Sequence, residues 1–157
     1  MLKDQITLAL KDMFKHAINK TRETYIEHGF VICKDEEGNL TPSDMCIGDK
    51  CSVHVKGRCR YKVEGFFHVH PGEFIIPTHT DLLNGVLSKC RHESEGTMCV
   101  GASETDKIEC WTLKKLTQSQ CKKAEKDKIH KNPDLDVYPR MWLQKLYKFD
   151  EIDLKGD

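Results

Sequence analysis

Two histidines one residue apart, His68-Val69-His70, close a run rich in aromatic and β-branched residues, Tyr61 to Val69 (YKVEGFFHV). Such a run predicts a strand, and residues two apart on a strand project to the same face, so both imidazoles can reach one point. Paired imidazole nitrogens suit zinc, whose catalytic sites usually take a third protein ligand and keep a fourth position for water. Asp81 is the candidate for the third. It falls in the first turn of a helix predicted from Thr78 to about Arg91, where Leu82, Leu83, Val86 and Leu87 recur at helical spacing. The intervening loop, PGEFIIP, is long enough to fold the helix start back over the histidines. Asp81 also reads as an ordinary capping carboxylate, because Thr78-His79-Thr80-Asp81 is a variant of the capping box. His79 and Thr80 themselves read as polar surface. Upstream, Glu27 in the strand-like Glu-His-Gly-Phe-Val-Ile segment is either a carboxylate placed for acid–base work or a surface acid at a strand end.

What joins these residues is order and spacing: Glu27, a gap, His68-x-His70, seven residues, Thr78, two residues, Asp81. The arrangement resembles the JAMM (MPN-plus, Mov34/PAD-1) zinc metallopeptidases over roughly residues 5 to 113, with Thr78 where that family usually has Ser. Thr keeps the hydroxyl and adds a methyl that restricts its rotamers. The resemblance implies a cytidine-deaminase-like α/β sandwich in which a central mixed sheet is flanked by helices. It implies Zn2+ as cofactor, held by His68, His70 and Asp81. Glu27 would be the general base that takes a proton from water and returns it to the departing amine, and the Thr78 hydroxyl would face the oxyanion. The substrate implied is an isopeptide or peptide bond at the C-terminus of a ubiquitin-like or sulfur-carrier protein modifier, docked as an extended tail in a shallow groove beside the strands. The alternatives are a non-catalytic MPN-type interaction module and a JAMM-like hydrolase of a small amide conjugate.

The elements that must position these residues follow from periodicity. Ile6, Leu10, Met13, Ala17 and Ile18 predict one amphipathic helix from Leu2 to Glu23. Tyr25 to Cys33 predicts the strand that bears Glu27, and Cys51 to Val55 a hairpin partner for Tyr61 to Val69, with Gly65 a local weakness. Thr97 to Ala102 and Ile108 to Leu113 extend the sheet. Turns at NPD and YPR separate two further helices, the last docking Met141, Trp142, Leu146 and Phe149. Residues 1–113 form the expected core, and residues 114–157 a helical C-terminal extension packed on the same domain.

At 157 residues, with 38% hydrophobic and 32% charged side chains, the chain reads as a single α/β domain. Its 25 basic and 25 acidic residues leave no positive excess for a phosphate backbone, which argues against nucleic acid as partner. The N-terminal residues have no signal-peptide core and no run is long enough for a bilayer, so a cytoplasmic protein with no membrane role is expected. Oligomeric state stays open. The 8 cysteines are then expected as thiols, disulfides being the hyperthermophile exception. Cys46, Cys51 and Cys59 near His54 are a rival metal cluster, but their spacing matches no Cys-x-x-Cys knuckle, and buried thiols or a disulfide fit better. The Lys-rich Lys122 to Lys131 stretch reads as a solvated helix face.

Overall fold

The computed structural model describes residues 2–48, 55–129 and 139–155. The first expected helix is two: α1 (Leu2–Gln5) and α2 (Leu8–Thr24). Thr7 causes the break. Its Oγ1 accepts from the Leu10 N–H at 3.2 Å, which caps α2, and donates to the Leu40 carbonyl at 2.7 Å, which ties the junction to the sheet. Tyr25 ends α2 in a left-handed conformation with φ of 58°, so the following strand, β1 (His28–Lys34), starts later than its apolar run suggests. Glu27 therefore stands immediately before β1 rather than within it.

Two short strands, β2 (Leu40–Pro42) and β3 (Cys46–Ile47), both pair antiparallel with β1. Of the expected Cys51 to Val55 strand, Cys51 to His54 lie outside the described residues, and Val55 opens a 3-10 turn (Val55–Arg58). The long strand β4 (Lys62–His70) is followed by α3 (His79–Cys90), then β5 (Thr97–Ala102), β6 (Lys107–Leu113) and α4 (Gln118–Ile129). A single helical turn α5 (Met141–Gln144) and a last strand β7 (Tyr147–Asp153) complete the chain. The NPD turn lies outside the described residues.

The strands form one seven-stranded mixed sheet in the order β2-β1-β4-β5-β6-β7, with β3 also on β1. Among these strands only β4 and β5 run parallel, joined by the crossover through α3. The helices cover both faces. On one, Leu10, Phe14, Ala17 and Ile18 of α2 pack on Phe30, Ile32, Phe67 and Val69. On the other, Leu82, Leu83, Val86 and Leu87 of α3 meet Met98, Val100, Trp111, Leu143, Leu146 and Tyr147. Strand alternation sorts β4 between the layers: Phe67 and Val69 go to α2, and Phe66, His68 and His70 go to the α3 side. The local weakness expected at Gly65 is a register shift in the β1–β4 ladder, between the Ile32–Gly65 and Cys33–Val63 pairs, and on the other side a Cβ at Gly65 would overlap the Thr97 carbonyl across the β4–β5 pair.

The C-terminal segment departs from the all-helical extension that its apolar residues suggest. After one turn of α5 the chain becomes β7, paired along its length with β6. Strand geometry then divides the residues expected to dock together. Leu146 is buried, whereas Met141 and Phe149 are 66% and 58% exposed, Phe149 lying stacked on Trp111. The cysteines also depart from the thiol reading. Cys33–Cys59, Cys90–Cys121 and Cys99–Cys110 are disulfides, and Cys46 is disulfide-bonded as well. Cys46 and Cys59 thus offer no thiolate to a metal, which removes the rival cluster; its other members, Cys51 and His54, lie outside the described residues.

Candidate metal centre

The C-terminal end of β4 and the N-terminal end of α3 meet on one side of the sheet, and each carries the donors the sequence assigned to it. His68 Nε2 is 3.1 Å from His70 Nε2 and 3.1 Å from Asp81 Oδ2, and His70 Nε2 is 3.9 Å from the same carboxylate oxygen. Zinc bonds of about 2.0–2.1 Å to nitrogen and oxygen imply a tetrahedral edge of roughly 3.3 Å. The spacing of the three donors brackets that edge, so the set fits a small tetrahedral cation. Among the described residues, His68, His70 and Asp81 are the only group of His, Cys, Asp or Glu whose ligand atoms converge in this way.

Proton bookkeeping points the same way. The His70 Nδ1 lies 3.1 Å from the Phe74 carbonyl, to which it can donate, and this leaves Nε2 with a bare lone pair. That lone pair faces His68 Nε2, which also faces Asp81 Oδ2. One Nε2–H cannot serve both. Three acceptor-capable atoms with at most one proton directed between His68 and its neighbours are what a cation would satisfy.

Asp81 is held by its own helix end. Its Oδ2 accepts from the Thr78 N–H at 2.9 Å, and Thr78 Oγ1 accepts from the Asp81 N–H at 3.1 Å, a complete capping box. The capping and metal readings of Asp81 are therefore compatible: the cap fixes the carboxylate and leaves it beside both imidazoles. Thr78 is thereby placed at the helix entrance, its hydroxyl oxygen occupied as acceptor and its hydroxyl proton still able to donate.

Glu27 comes from the other side. Its Oε1 is 3.9 Å from His68 Nε2, beyond the donor cluster, and its side chain is 39% exposed. The β1–β4 pairing brings it there by setting Gly29 opposite His68, and the two backbones approach so closely that a Cβ on Gly29 would overlap the Phe67 carbonyl oxygen. All five residues picked from the sequence thus meet at this corner. Phe74 could not be found that way, because it contributes a backbone carbonyl.

Electrostatics within the cluster are divided. Burial works against the charged form of His68, but the Asp81 carboxylate, by charge and hydrogen bond, and Glu27 outweigh it and raise the pKa above the ordinary 6.5. His70 goes the opposite way, pushed below 6.5 by burial and by the neighbouring His68 despite the Phe74 carbonyl and the two acids. Burial also opposes charge on Asp81, yet His68 and the Thr78 N–H hold its carboxyl below 3.8.

A cleft of about 490 Å³ opens from this corner. It is lined by Glu27, His68 and Asp81, by Thr80, Asn84 and Ser88 of α3, and by Phe66 and Met98 of the sheet. Exposed Tyr25, Ile26 and Ile47 lie close in sequence or pairing to Glu27, and Phe74 and Ile76 are exposed on the loop after His70. His79, read from the sequence as polar surface, is instead only 4% exposed.

Comparison with protein-family models gives no match, and comparison with curated proteins gives none either. No helix among the described residues is long and apolar enough to cross a membrane.

Proposed function

We propose that the protein is a zinc metallo-isopeptidase of JAMM type, cleaving the amide or isopeptide bond at the C-terminus of a ubiquitin-like or sulfur-carrier modifier. The observation that carries the reading is the convergence of His68 Nε2, His70 Nε2 and Asp81 Oδ2 at spacings of 3.1 to 3.9 Å, with a non-ligating carboxylate, Glu27, next to them. Two imidazoles and one carboxylate give the donor set of a catalytic zinc with an open position. A zinc ion held there supplies Lewis acidity that polarises a carbonyl and brings the pKa of water toward neutrality.

Each residue then has a defined task. Glu27, partly exposed and outside the ligand set, accepts a proton from the attacking water and delivers it to the leaving amine. The Thr78 hydroxyl, anchored through the capping box, donates to the oxygen that gains charge. The Phe74 carbonyl orients His70 and keeps its Nε2 free of a proton. The cleft beside α3, lined by polar and apolar side chains, suits an extended peptide tail, and the exposed apolar residues around the corner suit a protein substrate over a small amide.

The disulfides bear on location. A cytoplasmic setting is compatible with them where the cytosol sustains disulfides, as in hyperthermophiles.

Elemental analysis of wild type and of the His68→Ala/His70→Ala double variant, each assayed on a modifier carrying a C-terminal amide, tests the proposal. About one zinc per chain is expected in wild type, lost together with cleavage in the variant. Wild type that takes up no zinc, even when it is added, would leave a non-catalytic interaction module in its place.

A further inference from the structure

His79, beside Thr78 in the first turn of α3, belongs to a buried polar cluster made with the C-terminal segment. Its ring lies 2.9 Å from Asp127 Oδ2 of α4 through Nε2, and its Nδ1 accepts from the Arg140 backbone N–H at 3.3 Å. Because Nδ1 is an acceptor, the ring proton sits on Nε2 and points at Asp127. The Arg140 guanidinium closes the ring of contacts, donating to Asp127 Oδ1 at 3.2 Å. The Asp127 side chain is 8% exposed and that of His79 5%, so the carboxylate is held almost out of water by partners from two separate stretches of chain.

The rest of α3 is gripped by the same segment. In its middle, the buried Tyr147 hydroxyl donates to the Leu82 carbonyl at 2.6 Å. At its end, Cys90 is bonded to Cys121, and Arg91 makes a bidentate pair with Glu125. The His79 cluster is the grip nearest the metal corner, and it acts on the turn that presents Thr78 and Asp81. Asp81 contributes one donor from α3 while both histidines come from β4, so the fit of the triad depends on where the first turn of α3 sits against the sheet.

We infer that Asp127 is a positioning residue for the metal centre: through His79, and with Arg140, it fixes the first turn of α3 so that Asp81 meets His68 and His70 at ligand spacing. The inference rests on the zinc reading above and assigns to the C-terminal segment, outside the JAMM-like stretch, a part in building the site. Outer-shell partners that hydrogen-bond a ligand directly are worth about 10- to 100-fold in metal affinity, and Asp127 acts one contact further out, so a loss of severalfold is expected of its removal.

Zinc affinity is measured by chelator competition, with Co2+ absorption as a report on coordination geometry, in the full chain. Asp127→Ala is expected to weaken zinc about threefold to tenfold and to alter the Co2+ spectrum, Asp127→Asn, which keeps an acceptor oxygen, less so. Arg140→Gln removes one partner at a half-exposed position and carries the test if Asp127→Ala does not fold; a loss of about threefold or more is expected of it. Glu125→Gln, which weakens only the grip at the far end of α3, is expected to leave affinity and spectrum unchanged. Wild-type zinc affinity and spectrum in folded Asp127→Ala, or in Arg140→Gln where Asp127→Ala does not fold, would overturn the inference, as would an equal loss in Glu125→Gln. Wild type that binds neither metal fails the zinc reading instead, which keeps the two failures apart.

Discussion

Two histidine–carboxylate clusters lie at the start of the same helix, and they differ in how their protons are accounted for. In the His79 cluster both ring nitrogens and both carboxylate oxygens have a complementary partner: Nε2–H to Asp127, an N–H to Nδ1, a guanidinium to the second carboxylate oxygen. In the His68 cluster, two ring nitrogens and a carboxylate oxygen crowd one point with a further carboxylate nearby. Burial separates them in degree only, the side chains of His79 and Asp127 being 5% and 8% exposed and those of His68, His70 and Asp81 14%, 16% and 20%. What distinguishes a closed structural network from a site is surplus lone pairs aimed at a common position. A buried His–Asp pair at a bonding distance is thus no sign of chemistry by itself.

The sharpest way to break this comparison is Glu27→Gln. If the first cluster is a working site and Glu27 its proton carrier, the substitution removes the basicity and keeps the shape. Turnover of a modifier C-terminal amide is expected to fall by about 10²- to 10⁴-fold. Zinc content should stay at the wild-type level, because Glu27 lies outside the ligand set. Loss of zinc in this variant would make Glu27 a ligand and remove the assignment of base.

Gly29→Ala separates the clusters by geometry. The added methyl has no room against the Phe67 carbonyl, so β1 must move away from β4 at the point where Gly29 faces His68. Overpacking of this kind typically costs about 1–3 kcal/mol. Thermal unfolding with and without zinc reads both effects. A lower midpoint is expected in both conditions, together with a smaller gain on adding zinc, since the stabilisation from a ligand follows its affinity. A full zinc-dependent gain would mean that the donor triad tolerates displacement of β1 and that Gly29 serves the sheet alone.

Much of the site was legible in the sequence because its parts obey local rules. Strand alternation puts His68 and His70 on one face, and the capping box puts Asp81 in a fixed place on its helix. The sheet topology that brings Glu27 to them is a tertiary outcome, expected only by resemblance. What was not legible depends on partners distant in the chain. Asp127 sits among lysines 122, 123, 126 and 128, which are exposed as a solvated helix face should be, and nothing local marks it as the residue that turns inward to His79. The C-terminal apolar run reads as a helix from its own residues, and pairing with β6, which no local spacing reports, makes its second half β7 instead. The cysteines form covalent pairs across 26, 31 and 11 residues, and such pairings cannot be deduced from sequence alone.

The smallest expected effect is the pH dependence of zinc binding, and it tests how the first cluster holds its protons. His68 is raised above 6.5 by Asp81 and Glu27 against burial, His70 is lowered by burial and by His68, and Asp81 is lowered by His68 against burial. Zinc needs deprotonated ligands, so the proton it must displace is held chiefly by His68, with less competition at His70 and Asp81. The signs for stability follow. The His68 contribution in metal-free protein is fully present below pH 6.5 and is lost as pH rises through the raised folded value. Neutral His70 contributes in the opposite sense, its share present above 6.5 and lost as pH falls through its lowered value. Zinc affinity measured by chelator competition should rise with pH below the raised His68 value, by up to about tenfold per pH unit for the one proton displaced. A rise near a hundredfold per unit would mean that both imidazoles are protonated together, and the bare Nε2 of His70, with the proton accounting that sets this cluster apart from His79, would have to be given up.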